Sequence, residues 1–417
     1  MGKIDGEDYY CGKRFAPRSS TREKRRGKKG TSYIQRVIVL LIAFLILTAL
    51  FLGPIMDFFH GPWGVGRVYP EKADYTIGRR ISIGNVGTDS LDYNLTLAVP
   101  YNISGNNIQY IDNINWNIEP EIHQKYGSDW KSWDREIDYK GSEEIQINYS
   151  VRTTTVPWDY SGKESGTVDD ISENLKDQYN KNQWNVKDND GNRVDRNDGD
   201  DRLDVMIEPN HPVIKEKAED IVQGEDNVYD KSRAIYDWIN ENIDYEIGET
   251  ERLPKHAIWV LESGTGDCDE QSFLYASLSR AVGIPAWMEL GVLYDRVGQR
   301  WGAHGWIRTK FVSEDGSGGW VNIDLVNDQF YFRDALRFTS WVDDGAEGHL
   351  ENFYYYIEYK NSSIKIENDF KNIRMGTEGR IVSEDGWAIP GFGRWIAVPA
   401  VIISTLIYSK KADFSHY

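Results

Sequence analysis

Cysteine is scarce in this 417-residue chain, with Cys11 and Cys268 the only two. Cys268 stands in S-G-T-G-D-C-D-E-Q-S, residues 263–272. Gly264 and Gly266 permit a tight turn, and Asp267, Asp269 and Glu270 sit where carboxylates favour the positive end of a helix. Phe273, Leu274, Leu278 and Val282 then recur at three-to-four residue spacing until Gly283, so an amphipathic helix is predicted to begin beside Cys268. A thiol at a helix N-terminus ionises more readily, because peptide dipoles and N–H groups stabilise the thiolate. The flanking acids oppose this, so the thiol needs a basic partner. A-H-G-W supplies His304, one candidate beside His60, His123, His211, His256, His349 and His416, and W-V-N-I-D ends on Asp324, a carboxylate able to orient an imidazole. Thiol, base and orienting acid together suit nucleophilic attack on an amide.

The elements that must position these groups can be read around them. Residues 303–312, AHGWIRTKFV, alternate as a strand does, Ser313 to Gly319 read as a turn, and Trp320, Val321 and Ile323 form a second strand carrying Asp324. A helix-borne thiol facing two adjacent antiparallel strands can meet an imidazole from one and a carboxylate from the next. The plainer alternatives are a small buried hydrophobe for Cys268 and a turn cap for Asp324. Asp267 and Asp269 are poor company for a core cysteine.

Four segments, G-D-C-D-E-Q-S, R-A-V-G-I-P-A, A-H-G-W and W-V-N-I-D, resemble in their order the core of the transglutaminase-like superfamily, relatives of the papain-fold cysteine proteases. The resemblance covers roughly Pro209 to Phe370, and the segment from Ile214 to Glu246 is similar to the paired helices that precede the family's cysteine. It implies Cys268 as nucleophile, His304 as base and Asp324 as the residue that orients the imidazole. Tyr245, which closes the helix pair, reads as core packing or as an oxyanion donor. Two positions depart from the family pattern: Arg308 where an acid is common, and Asp324-Leu325 in place of Asp-Pro. The resemblance implies an enzyme that opens protein or peptide amide bonds through a thioester, with hydrolysis preferred over amine crosslinking and no cofactor required. The competing reading is a non-catalytic envelope scaffold with the same fold.

Charge and hydropathy say where such a site would work. Val37 to Met56 is almost wholly apolar and close to the roughly 20 residues that span a bilayer. The 36 residues before it hold 11 Lys or Arg against 4 Asp or Glu, which puts the N-terminus in the cytoplasm and the chain after Met56 outside. A second apolar stretch, 387–409, ends before Lys410 and Lys411 and reads as another span, or as a sorting signal like the archaeal Pro-Gly-Phe type, here Pro390-Gly391-Phe392. The net charge of −18 becomes about −25 once the basic tail is set aside, so nucleic acid is excluded as a partner. The partners expected are the lipid bilayer and a protein or peptide substrate at the cell surface. Asn94, Asn102, Asn148 and Asn361 each begin an N-x-Ser/Thr sequon. Cys11 and Cys268 fall on opposite sides of the membrane, so they cannot form a disulfide within one chain.

The expected fold class is α+β. A basic tail (1–36) and transmembrane helix (37–56) lead to an antiparallel β-sandwich-like domain (57–160), read as a spacer in preference to a binding module. A polar Asp-rich linker (161–207) precedes the catalytic domain (208–370), followed by a linker (371–386), the second apolar segment (387–409) and a cytoplasmic tail (410–417). Within the polar linker, Asp188, Asp190, Asn192, Asp195, Asp198, Asp200 and Asp201 offer oxygen ligands suited to Ca²⁺, but Arg193 and Gly199 break the EF-hand spacing. A solvated linker is the simpler reading. No His/Cys cluster at ligand spacing supports zinc catalysis.

Overall fold

The structure is a computed structural model that describes residues 2–3, 68–103, 108–125, 128–184, 205–246, 254–296, 298–343, 355–379 and 381–382. Both apolar segments, Cys11 and the Asp188–Asp201 loop lie outside the described residues. Among the described residues no helix is long and apolar enough to cross a membrane. The chain divides into one unit of Met1–Lys13 with Pro70–Arg380, and a second of Arg14–Tyr69 with Ile381–Tyr417. The second is described only at Val68–Tyr69, which pairs antiparallel with Ile381–Val382.

In the larger unit, strands β1 (Lys72–Asn85), β2 (Leu91–Ala98), β3 (Gln109–Trp116), β4 (Glu121–Lys125), β5 (Ser128–Ile137) and β6 (Ser142–Thr154) build a sandwich. The alternation that marks β1 in the sequence becomes alternating burial, with Ile77, Ile81 and Ile83 turned to the core. They meet Leu95, Trp130, Trp133, Ile145 and Ile147 from the neighbouring strands. Trp130, Trp133 and Ile137 are spaced as on a helix, which hides β5 from a periodicity reading. In the strand, Ser132 and Trp133 are both buried, so strict alternation fails there.

The segment that carries Cys268, His304 and Asp324 follows. Helices α1 (Glu173–Tyr179), α2 (Pro212–Ile221), α3 (Val228–Asn242), α4 (Ala257–Ser263) and α5 (Cys268–Ala281) precede a five-stranded antiparallel sheet. Its strands are β7 (Ala286–Asp295), β8 (Arg300–Lys310), β9 (Trp320–Asp324), β10 (Gln329–Phe330) and β11 (Arg337–Val342), in the order β10-β9-β8-β7-β11. Part of the segment read as a solvated linker is folded onto this unit. Gly166 N–H donates to Val312 O at 2.9 Å, and Tyr179 stacks on Trp287 with ring centroids 4.6 Å apart.

The domain boundaries need one correction. Strands β12 (Tyr355–Lys360) and β13 (Ile364–Glu378), assigned from sequence to the catalytic domain and the linker after it, belong to the sandwich. β12 joins the sheet β12-β2-β5-β4, where Gly2–Lys3 also pair at the outer edge with Tyr359 and Glu358. β13 joins the sheet β13-β1-β6-β3 and runs along β1 from Ile364 opposite Asn85 to Glu378 opposite Lys72. The segment with the five-stranded sheet is therefore inserted between strands of one sandwich. A chain ended at Asp343 lacks a strand in each sheet and should lose its cooperative thermal transition by near-ultraviolet circular dichroism. Retention of that transition would show that the sandwich closes without β12 and β13.

Candidate active site

Helix α5 begins at Cys268 because Asp267 caps it. The Asp267 carboxylate accepts the N–H groups of Asp269 (3.1 Å) and Glu270 (3.2 Å), while Glu270 reaches back to the Asp267 N–H at 3.1 Å. The acids that looked hostile to a thiolate are thus partly spent on backbone donors; Glu270 also accepts the Lys255 N–H at 2.7 Å. The helix is not amphipathic as expected: nearly every side chain from Cys268 to Arg280 is buried. Two of its interior serines are satisfied locally, Ser272 donating to Cys268 O at 2.6 Å and Ser277 to Phe273 O at 2.7 Å.

The capping turn lies against the strand that carries His304. A Cβ on Gly305 would come within 2.3 Å of Asp269 Oδ1, so only glycine lets this turn approach β8 so closely. The Cys268 thiol donates to Asp269 Oδ1 at 3.7 Å. Burial, reinforced by the charge of Asp267, holds the Asp269 carboxyl well above the usual carboxylate range, against the opposing pull of His304.

Pairing register gives the central sheet two unlike faces. Met288 and Leu290 share the Gly305 side with Asp269 of α5. Glu289, His304, Trp306, Arg308, Asn322, Asp324 and Arg337 occupy the opposite positions. This polar face is buried and paired. His304 Nε2 lies 2.8 Å from Asp324 Oδ2, and the exposures of Cys268, His304 and Asp324 are 4%, 3% and 1%. The structure thus brings His304 and Asp324 into direct contact and starts the Cys268 helix beside His304's strand. Nε2 is thus the ring nitrogen on Asp324, and Nδ1 is the second nitrogen of the imidazole.

Several partners escaped the sequence reading. Arg337 Nη2 donates to Asp324 Oδ2 at 2.5 Å, and Asn327 Nδ2 donates to the same oxygen at 2.8 Å. Asn327 sits three residues past Asp324, within reach of local reading, whereas Arg337 arrives from an edge strand that no local pattern ties to Asp324. Buried Glu289 accepts Trp306 Nε1 at 2.5 Å and Asn322 Nδ2 at 2.9 Å, and pairs with Arg308 at 3.3 Å. The Arg308 departure thus answers a carboxylate across the strand pair. Tyr245 is brought beside Gly266 by a short parallel pairing, two residues before Cys268. Among the described residues, Asp267, Cys268 and Asp269 form the one cluster with metal-ligand atoms, within 4.8 Å of one another; there Asp267 is already occupied by backbone donors.

Burial alone would raise the pKa of Asp324, but the charges of His304 and Arg337, with hydrogen bonds from His304 and Asn327, outweigh it and hold the carboxyl below its usual range. Its stabilisation is therefore fully present above the unfolded Asp value of about 3.9 and is lost as pH falls from there towards the lower native value. Urea unfolding of wild type and Asp324→Asn should differ most near neutral pH, and the gap should shrink progressively as pH falls below about 4. Asp269, shifted the other way, is common to both chains and cancels in the difference. A gap that stays constant into acid would mean Asp324 is not held ionised by its partners.

Residues 215–325 match the family profile of the Transglutaminase-like superfamily core. No curated protein matches the chain. Among solved structures, a candidate cysteine protease of Cytophaga hutchinsonii is 14% identical with a TM-score of 0.49, covering 76% of this chain and 97% of its own. A candidate protease of Parabacteroides distasonis is 15% identical with a TM-score of 0.22, covering 62% of this chain and 48% of its own. The periplasmic domain of TgpA from Pseudomonas aeruginosa is 10% identical with a TM-score of 0.27, covering 63% of this chain and 94% of its own. The profile ends at Leu325, one residue past Asp324, and so takes in Cys268, His304 and Asp324. The chain carries, over residues 215–325, a domain of the transglutaminase-like superfamily.

Proposed function

We propose that this chain is a membrane-anchored cysteine enzyme that opens protein or peptide amide bonds outside the cytoplasm, with water as the main acceptor. The observation that carries the reading is the buried His304–Asp324 pair at 2.8 Å, set beside the start of the Cys268 helix. In the proposed reaction His304 Nδ1 takes the thiol proton and the Cys268 thiolate attacks the amide carbonyl carbon. The tetrahedral intermediate collapses to a thioester as imidazolium returns its proton to the leaving amine. Water, deprotonated by His304, then releases the acid and restores the thiol; a lysine amine in its place gives an isopeptide bond.

The oxyanion needs a donor other than the Asp269 and Glu270 N–H groups, since the capping box occupies both. The Cys268 N–H is the helix-start amide outside that box, and the proposal assigns it the developing charge. No metal or organic cofactor has a role in these steps. Calcium, if it acts, would do so through the Asp188–Asp201 loop.

The full chain and Cys268→Ala, purified in detergent, should be incubated with a diverse peptide set plus a lysine-like amine, with and without calcium, and the products weighed. Cleavage, or a mass shift of about 1 Da from deamidation, that disappears in Cys268→Ala is the expected result. Amine-bearing glutamine peptides would instead make crosslinking the main reaction. Identical products from both proteins would remove the enzymatic reading.

The proposed topology puts residues 1–36 inside and the sandwich outside. It requires that the Gly2–Lys3 edge pair with Tyr359 and Glu358 be absent in the inserted protein, because a bilayer would separate the two. In a Cys268→Ala chain Cys11 is the sole thiol. A membrane-impermeant maleimide should leave it unlabelled in intact cells and label it after permeabilisation. Labelling in intact cells would place the tail on the sandwich side.

A further inference from the structure

We infer that Arg337 is a positioning residue for the His304–Asp324 pair, and that the sandwich holds it in place. The inference rests on the triad reading above and adds to it. Arg337 is wholly buried, with its Nη2 also 2.7 Å from Gln329 Oε1 and 3.4 Å from Asp334 Oδ2. Its guanidinium carbon lies 4.6 Å from the centroid of the Trp306 ring, two residues along the strand from His304. One oxygen, Asp324 Oδ2, therefore serves both the imidazole and the guanidinium. A carboxylate anchored by a charge-assisted bond on one side cannot swing away from the imidazole on the other.

The backbone that carries Arg337 is gripped from the sandwich. Tyr75 Oη of β1 donates to Arg337 O at 3.0 Å. Gln109 of β3 forms a two-way pair with Thr339, donating to its carbonyl at 2.9 Å and accepting its N–H at 2.8 Å, as a neighbouring strand would. Thr155 Oγ1 accepts the Ala335 N–H at 2.8 Å, and Thr153 donates to Ala335 O. These bonds fall within the five residues from Ala335 to Thr339, whose edge strand has no other sheet neighbour on that side among the described residues. The spacer reading gives no reason for such a grip; a requirement to fix Arg337 does.

The test reads the Cys268 thiolate directly and needs no substrate. In a full-length Cys11→Ser background, the rate of Cys268 alkylation by iodoacetamide is measured against pH for wild type, Arg337→Gln, Arg337→Lys and Gln109→Ala, with thermal unfolding confirming the folded fraction. Arg337→Gln should slow alkylation near pH 6 by about 10-fold or more, the scale of one lost charge-assisted hydrogen bond. Its acid limb should also move to higher pH, because Asp324 loses a cation that keeps it ionised. Arg337→Lys keeps the charge with a shorter reach and should fall between the two. Gln109→Ala should slow the reaction in the same direction by a smaller factor.

If Arg337→Gln does not fold, the Lys and Gln109 variants carry the comparison. Wild-type rates and pH dependence in every folded variant would overturn the inference, as would equal losses in both Arg337 variants with an unmoved acid limb, which marks a purely structural role. Alkylation that depends on Arg337 in a protein without amide-bond activity would leave the inference standing and the proposed function refuted. The converse pattern would refute the inference alone.

Discussion

A carboxylate with 1% exposure is the feature around which the remaining polar groups are arranged. Taking Asp324 out of water is costly, and a buried charge left without one partner destabilises by about 3–5 kcal/mol. The fold answers with His304, Asn327 and Arg337 on a single oxygen. Arg337, itself buried, needs acceptors of its own and finds them in Gln329 and Asp334, beyond Asp324. Each charge brought in to satisfy another thus requires a further partner, and Gln329 closes the set by donating to Asp334 Oδ2 at 3.1 Å. The central sheet has a polar face because of this sequence of needs, while its other face remains apolar for α5.

The Cys268 side is governed by a smaller constraint of the same kind. A helix start offers several unpaired N–H groups, and in this turn two of them go to Asp267. The cap fixes where α5 begins and so fixes Cys268 as its first residue. Asp269 follows inward onto Gly305 and, held towards its neutral form, does not add a full negative charge beside the thiol. Local sequence reading could count three acids but could not tell that two are engaged by backbone and a third is buried against a glycine.

Legibility in the sequence followed the range of the interactions. The start of α5 and the strands bearing His304 and Asp324 show in turn signals and local periodicity, and the helix pair before Tyr245 shows only through the family resemblance; the structure has an element at each of these places. The same holds for β1, β2, β3 and β6 of the sandwich. What escaped was non-local or irregular. β5 carries its tryptophans at helical spacing, β12 and β13 return to partners 258 (Tyr355 to Leu97) to 306 (Glu378 to Lys72) residues earlier in the chain, and Arg337 meets Asp324 from the far edge of the sheet. The notion of a spacer domain came from finding no chemistry in residues 57–160. Tyr75, Gln109 and Thr153 do none; they hold other residues in place, and a sequence does not mark that role.

The insertion of the α5-bearing segment between sandwich strands has a consequence for folding. Neither sandwich sheet is complete until residues 355–378 have been made, by which point the whole inserted segment has emerged. Long-range strand pairing carries a loop-closure cost that must be met before the contacts repay it. A folded inserted segment shortens the effective loop between β6 and β12, so the two parts favour each other's completion. The bonds from Tyr75 and Gln109 to the Arg337 strand then form only when both are in place. On this argument a chain cut or misfolded in the sandwich loses the support of its buried charge pair, so the proposed chemistry is confined to the fully assembled unit.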